Sequence, residues 1–242
     1  MGLIVQKFGG TSVADRICLI NVANIIARRI SEGNRVVTVV SAQGDATDRL
    51  LASAKEISSS PNKRELDALL STGEQASAAL LAMLLNDMGI RAISLTGSQA
   101  GIKTNDCFGD GEIVAIEGEN IQYFLSQGYA VVITGFQGVN KRGDVVTLGR
   151  GGSDASAVAL AAALSADSCR IYKDVDGIYT ADPRKDVSAK KLENVTYDQM
   201  LELCNKGSQV LQRKSVELAQ KHKIELHILS SFQLTDGTRI YD

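Results

Sequence analysis

The chain reads as an α/β fold: a mainly parallel central sheet between helices, a three-layer αβα sandwich. Three observations predict it. Short apolar strands alternate with helical segments along the 242 residues, an order that implies right-handed βαβ crossovers and a parallel sheet. The strand Arg35–Val40 is almost wholly β-branched, as a strand covered on both faces must be. Several strands end in glycine-rich or charged loops, and ligands of such sheets bind beyond the carboxyl ends of the strands.

The elements follow in order. Leu3–Phe8 is a strand that runs into Gly9-Gly10-Thr11-Ser12. Ser12 is placed to cap the next helix, with Asp15 as its capping-box partner. That helix carries Val22, Ala23, Ile25 and Ile26 and stops near Gly33. Arg35–Val40 opens into a polar loop at 41–48, and Ser58-Ser59-Ser60-Pro61 marks an exposed turn. Residues 75–88 form an apolar helix, with Thr72 and Gln75 as a second capping box, and 90–95 form a strand. The Gly- and Asp-rich stretch 96–118 is expected to be irregular or short β-ribbon. Residues 121–127 read as helix, Ala130–Thr134 as strand, and 135–152 as a glycine-rich run. The alanine-rich helix 154–166 suits close packing on a sheet. Strand 169–173 leads into a loop, 174–184, with turn dipeptides at Asp176-Gly177 and Asp182-Pro183. Tyr197–Asn205 and 209–222 read as helices, and 225–229 is the last strand. A single domain with two lobes over one sheet, about 1–135 and 136–242, is the simplest organisation.

Composition narrows the function. Apolar residues make up 44% and charged residues 22%, the balance of a globular domain. A formal net charge of -2 and no long run of Lys and Arg leave no electrostatic footprint for nucleic acid. No stretch reaches the roughly 18 apolar residues of a membrane span. The start, Met1-Gly2-Leu3-Ile4-Val5, has no basic leader, so a cytoplasmic protein is expected. Cys18, Cys107, Cys169 and Cys204, with His222 and His227, show no metal-type spacing. Reduced thiols and no protein-held metal are expected.

Four constellations carry chemistry. In Lys7-Phe8-Gly9-Gly10-Thr11-Ser12 the glycines admit an oxyanion close to the backbone, and the helix start beyond offers free N–H groups. The lysine precedes the glycines, so this is an anion cradle but not a P-loop. Thr147-Leu148-Gly149-Arg150-Gly151-Gly152-Ser153-Asp154 also opens a helix. Arg150 suits a carboxylate held bidentately, Gly151, Gly152 and Ser153 present amides, and Asp154 is placed to fix where the Lys7 ammonium points. In 173–184, Lys173 and Asp174 stand at a strand end, Tyr179 suits cover over a purine ring, and Arg184 suits phosphates; ordinary turn chemistry explains the Asp-Gly and Asp-Pro pairs equally. In Ser71-Thr72-Gly73-Glu74, Glu74 either offsets a helix dipole or holds a substrate ammonium. Two anion cradles suit phosphoryl transfer between two anions, a reaction of positioning and charge neutralisation. A carboxylate acceptor is already ionised at neutral pH and needs no base.

Together these motifs resemble the amino acid kinase family, and within it the aspartokinases. Lys7–Ser12 resembles the family's KFGGTS, Ser71–Glu74 its S-x-G-E, Gly135–Gly138 its GF-x-G, Thr147–Asp154 its TLGRGGSD, and Lys173–Arg184 its TDVDG-x-YT-x-DPR. The resemblance implies the amino acid kinase fold and transfer of the ATP γ-phosphoryl group to the β-carboxylate of L-aspartate. That reaction heads lysine, threonine and methionine biosynthesis. Lys7 and Asp154 would be catalytic; Gly9, Gly10, Thr11, Lys173, Asp174, Tyr179, Asp182 and Arg184 would bind ATP; Ser41, Thr47, Glu74, Arg150, Gly151, Gly152 and Ser153 would bind aspartate. Mg²⁺ would arrive on the phosphates, and a homodimer is implied.

The chain departs from the family pattern in three places. Lys173 replaces a usual Thr or Ser, Gln212-Arg213 a common His-Pro, and Phe108-Gly109-Asp110-Gly111 a His-Gly-Asn-Ala. The first two fall on the expected nucleotide side, so a changed ATP affinity is expected of Lys173. Aspartokinases continue into small regulatory domains; a chain ending at Tyr241-Asp242 without them is expected to escape feedback by lysine. Two alternatives stay open: a family member acting on another acid, and a weakly catalytic nucleotide-binding subunit.

Overall fold

The computed structural model describes residues 2–183 and 186–242. In chain order the elements are β1 (Leu3–Phe8), a 3-10 turn (Gly10–Val13), α1 (Arg16–Ser31), β2 (Arg35–Val40), α2 (Ala46–Ile57), α3 (Lys63–Leu70), α4 (Thr72–Asp87), β3 (Ala92–Leu95), β4 (Ile102–Thr104), β5 (Ile113–Ile116), α5 (Glu119–Ser126) and β6 (Ala130–Thr134). There follow β7 (Gln137–Val139), β8 (Val145–Thr147), α6 (Gly152–Ala163), β9 (Ser168–Lys173), β10 (Ile178–Tyr179), β11 (Lys191–Leu192), β12 (Asn194–Thr196), α7 (Tyr197–Asn205), α8 (Arg213–His222), β13 (Leu226–Ser230) and β14 (Thr238–Tyr241).

Eight strands form the main sheet in the order β12-β14-β13-β9-β1-β2-β6-β3. All neighbours are parallel except β13 and β14. The sheet is covered on both faces by separate apolar clusters. One joins Leu3, Val5, Val37, Val39 and Ile171 to α5, α6, α7 and α8. The other joins Phe8, Val36, Val40 and Val132 to α1 and α4. This is the predicted three-layer sandwich.

Side chains alternate across a strand, and that period sets the chemistry. Lys7 is in phase with Leu3 and Val5, so it faces α6. Lys173 is in phase with Cys169 and Ile171 on neighbouring β9, which pairs Lys7 with Ile171. Both ammonium groups therefore leave the same face at the carboxyl end of the sheet.

Several sequence expectations change. Asp15, not Ser12, caps α1, accepting from the Cys18 amide. Ser12 sits in the 3-10 turn and its hydroxyl meets that of Ser231 at 2.6 Å. The second capping box is absent: Thr72 Oγ1 donates to the Leu69 carbonyl and Gln75 to the Ser71 hydroxyl, because α3 ends one residue before α4 begins. That run, Lys63–Asp87, is long and apolar enough by composition to cross a membrane, yet 44% of its most apolar window is buried inside the fold. Helix α2 begins inside the expected polar loop 41–48, and α2 and α3 otherwise fill stretches for which no element is predicted. The glycine-rich run holds the β7–β8 hairpin, part of a four-stranded sheet, β5-β4-β7-β8. The expected β-ribbon within 96–118 is present as β4 and β5. Helix α8 begins at Arg213 with Gln212 extended as its cap, so residues 209–212 are loop rather than helix.

Candidate active site

A cavity of about 480 Å³ opens beyond the carboxyl ends of β1, β2 and β9. Lys7, Gly10, Ser41, Thr47, Glu74, Arg150, Gly151, Gly152, Ser153, Asp154 and Lys173 line it. Sequence reasoning names all of these. Gln212, expected on the nucleotide side, lines it too, and residues that sequence reasoning does not place in the site also contribute: Ala42, Gly44, Phe136 and Gln209.

The centre is an ionic triad. Lys7 Nζ lies 2.7 Å from Asp154 Oδ1. Lys173 Nζ donates to Asp154 Oδ2, also at 2.7 Å. The Lys7 contact is an ion pair without hydrogen-bond alignment, so Oδ1 accepts no hydrogen bond. Lys7 and Asp154 are buried, at 6% and 3% exposure. Burial pushes the Lys7 pKa down and Lys173 adds to this, while Asp154 opposes it. Burial pushes Asp154 up, but the two lysines outweigh it and hold its carboxyl below the ordinary range.

Asp154 sits in the first turn of α6, whose cap Gly151 is left-handed at φ 79°. A Cβ there would also lie 2.2 Å from Gln212 Cγ. Glycine is thus required for both conformation and space. It lets the α6 amides face the cavity beside Arg150, whose side chain is exposed. Ser41 follows β2, and its hydroxyl donates to Ser153 Oγ at 3.0 Å.

Glu74 lines the same cavity. It lies in the first turn of α4 at 3% exposure. A Cβ at Gly73 would meet Ala42 Cβ at 2.8 Å, so glycine lets α4 approach the loop after β2. The Ala42 amide donates to Glu74 Oε1 at 3.0 Å, while Oε2 has no partner. Burial pushes the Glu74 pKa up to about 7. A buried, half-satisfied carboxylate calls for a cationic or donating partner.

Phe136, on the loop after β6, has φ 67°, a conformation that a bulky residue adopts only under surrounding constraint. Its amide donates to Ser156 in α6.

Other named residues lie elsewhere. Gly9 and exposed Thr11 flank the cavity without lining it. Asp174 is exposed at the end of β9. Tyr179 donates to Asp176 Oδ1, and Lys191 binds the other Asp176 oxygen, within the small β10–β11 hairpin. Neither Tyr179 nor Asp182 lines the cavity. Arg184 lies outside the described residues. Among the described residues no three of His, Cys, Asp and Glu stand together as a metal-ligand set.

The cavity beyond the sheet ends thus brings together the start of α6, the Lys7–Asp154 pair and the buried Glu74 carboxylate. The profile of the amino acid kinase family matches residues 2–230, and the chain belongs to that family. It is 54% identical over 240 residues to an aspartokinase of Bacillus sp. (strain MGA3), covering 99% of this chain and 58% of that protein. It superposes on aspartate kinase from Synechocystis with a TM-score of 0.88 and 46% identity, covering 99% of this chain and 39% of that one. With E. coli aspartokinase III in complex with aspartate and ADP, the TM-score is 0.89 at 28% identity, over 99% of this chain and 64% of that one. The chain thus spans little more than half the length of the curated relatives it matches.

Proposed function

We propose that this chain carries an aspartate kinase site, which moves the γ-phosphoryl group of ATP onto the β-carboxylate of L-aspartate. The observation that carries the reading is Glu74: a buried carboxylate with one unpaired oxygen, sharing a cavity with Arg150 and with the Lys7–Asp154 pair. Glu74 suits the α-ammonium of an amino acid, and Arg150 suits its carboxylate. Ser41 and Thr47 line the same acceptor side. The similarity to E. coli aspartokinase III, solved with aspartate and ADP, supports the same pair of ligands.

The chemistry is balanced without a proton. A β-carboxylate oxygen forms a bond to the γ-phosphorus, the bond to the β,γ-bridging oxygen breaks, and ADP leaves with the electron pair. Lys7 neutralises charge on the moving phosphoryl group. Asp154 aims Lys7. Amides at Gly151, Gly152 and Ser153 and the Gly9-Gly10-Thr11 segment bind anionic groups. Mg²⁺ would ride on phosphate oxygens and water, since Asp154 is committed to two lysines. Asp174, Tyr179 and Asp182 form the outer nucleotide side in this reading, and Arg184 is given a phosphate-binding role by family resemblance alone. Residues 1–135 and 136–242 act as two lobes of one domain. A cytoplasmic homodimer serving lysine, threonine and methionine synthesis belongs to the same reading, by family resemblance.

Hydroxylamine trapping tests it. Protein, MgATP and hydroxylamine are incubated with aspartate, glutamate or carbamate. Hydroxamate and ADP with aspartate alone are expected. Product with another acid instead would replace the substrate; no product with any acceptor would favour a nucleotide-binding subunit.

A further inference from the structure

Lys173, at the end of β9, lines the cavity beside Lys7 and Asp154. Its side chain is 19% exposed, lines the cavity, and holds Asp154 Oδ2 at 2.7 Å while Lys7 holds Oδ1 at the same distance. A structural ion pair accounts for one lysine on this carboxylate. It needs no second, and the second ammonium's repulsion of the first partly offsets its own attraction to the carboxylate. Among the described residues the ion pair of Lys173 is to Asp154, so the triad carries one surplus positive charge at the cavity wall, with Arg150 adding another. Lys7 and Lys173 come from adjacent strands and leave the same sheet face. A shared carboxylate aims both at one point.

We propose that Lys173 is a second phosphoryl-binding ammonium: with Lys7 it contacts the peripheral oxygens of the γ-phosphoryl group during transfer, each lysine held by one oxygen of Asp154. This rests on the phosphoryl-transfer reading above and sharpens it. The bond to the bridging oxygen breaks, the bond to the carboxylate oxygen forms, and the peripheral oxygens stay anionic throughout. A second cation aimed at them acts on the transition state more than on bound ADP. Lys173 thus belongs to the turnover step, and nucleotide affinity is the lesser part of its role.

Equilibrium binding of MgADP, alone and with fluoroaluminate as a planar phosphoryl mimic, separates these roles in wild type, K173M and K173R. For K173M, ADP affinity is expected within about 3-fold of wild type, and the fluoroaluminate-dependent tightening is expected to fall about 100-fold, the usual cost of one such donor. K173R is expected to keep most of the tightening. In turnover, kcat of K173M falls by a similar factor while the KM for ATP holds. Should K173M not fold, K173T gives the same comparison. Equal losses for ADP and for its fluoroaluminate complex would make Lys173 a nucleotide-affinity residue and overturn the proposal. Unchanged tightening in K173M would reduce Lys173 to a structural ion pair and overturn it equally. If wild type shows no tightening at all, the phosphoryl-transfer reading falls with the proposal. Failure of aspartate as acceptor in the hydroxylamine assay, with tightening intact, strikes only the substrate assignment.

Discussion

Glu74 bears the main unpaired burial cost of the site, and two consequences of opposite direction follow. Burial lifts its pKa to about 7. The folded chain therefore holds a proton that the unfolded chain releases near pH 4.5. Stability from this group is full at low pH and is lost as pH rises toward about 7, by up to about 3 kcal/mol. E74Q removes the cost. Its melting temperature is expected to match wild type near pH 5 and to exceed it by several degrees at pH 8. If Glu74 holds the α-ammonium as proposed, aspartate binding uses the ionised carboxylate and is expected to tighten in wild type as pH rises through 7. In E74Q it is expected to be at least about tenfold weaker at pH 8. Calorimetric melting and a pH series of kcat/KM for the acceptor check both; a flat wild-type profile contradicts the role. Residues of this kind are legible in sequence when they break their surroundings, as Lys7 does in an apolar strand and Arg150 does among glycines. Gln209 goes unrecognised as a lining residue, because a polar residue at an expected helix start carries no mark of the cavity that it faces.

Among elements, α3 holds the site together without touching it. Asp67, at 1% exposure, accepts from the amides of Gly109 and Thr147 and from the Thr147 hydroxyl. It thereby ties α3 to β8, whose end leads into Arg150 and Gly151. Truncation leaves these buried donors unpaired, so D67A is expected to lose about 3 kcal/mol, read as a lower urea midpoint; an unchanged midpoint contradicts the tie. Element by element, the sequence is most legible in the buried strands, where β-branched runs have no other use. It is least legible in α2, which buries none of its residues and so shows little apolar signal, and in α3, which is only eight residues long. The short strands β10, β11, β12 and β14 hide for the same reason: two to four residues give no measurable period. Ser12 misleads because Ser and Asp are both good caps, and only the inserted 3-10 turn decides between them.

Across the whole molecule, two apolar clusters share one sheet. Tyr172 belongs to the α1 and α4 side and Tyr197 to the α7 and α8 side. One domain should lose both at once, so their ring signals are expected to vanish at the same urea concentration; separate transitions would divide the chain. The shared sheet also brings β1, β2 and β9 to one edge, where Lys7, Asp154, Lys173, Glu74 and Arg150 meet. The most direct test of that convergence is ³¹P NMR of the protein with MgATP and L-aspartate. The expected result is an acyl phosphate signal growing in step with ADP, absent when aspartate is omitted and absent in K7M. ADP appearing with inorganic phosphate alone, or at the same rate without aspartate, would contradict the account.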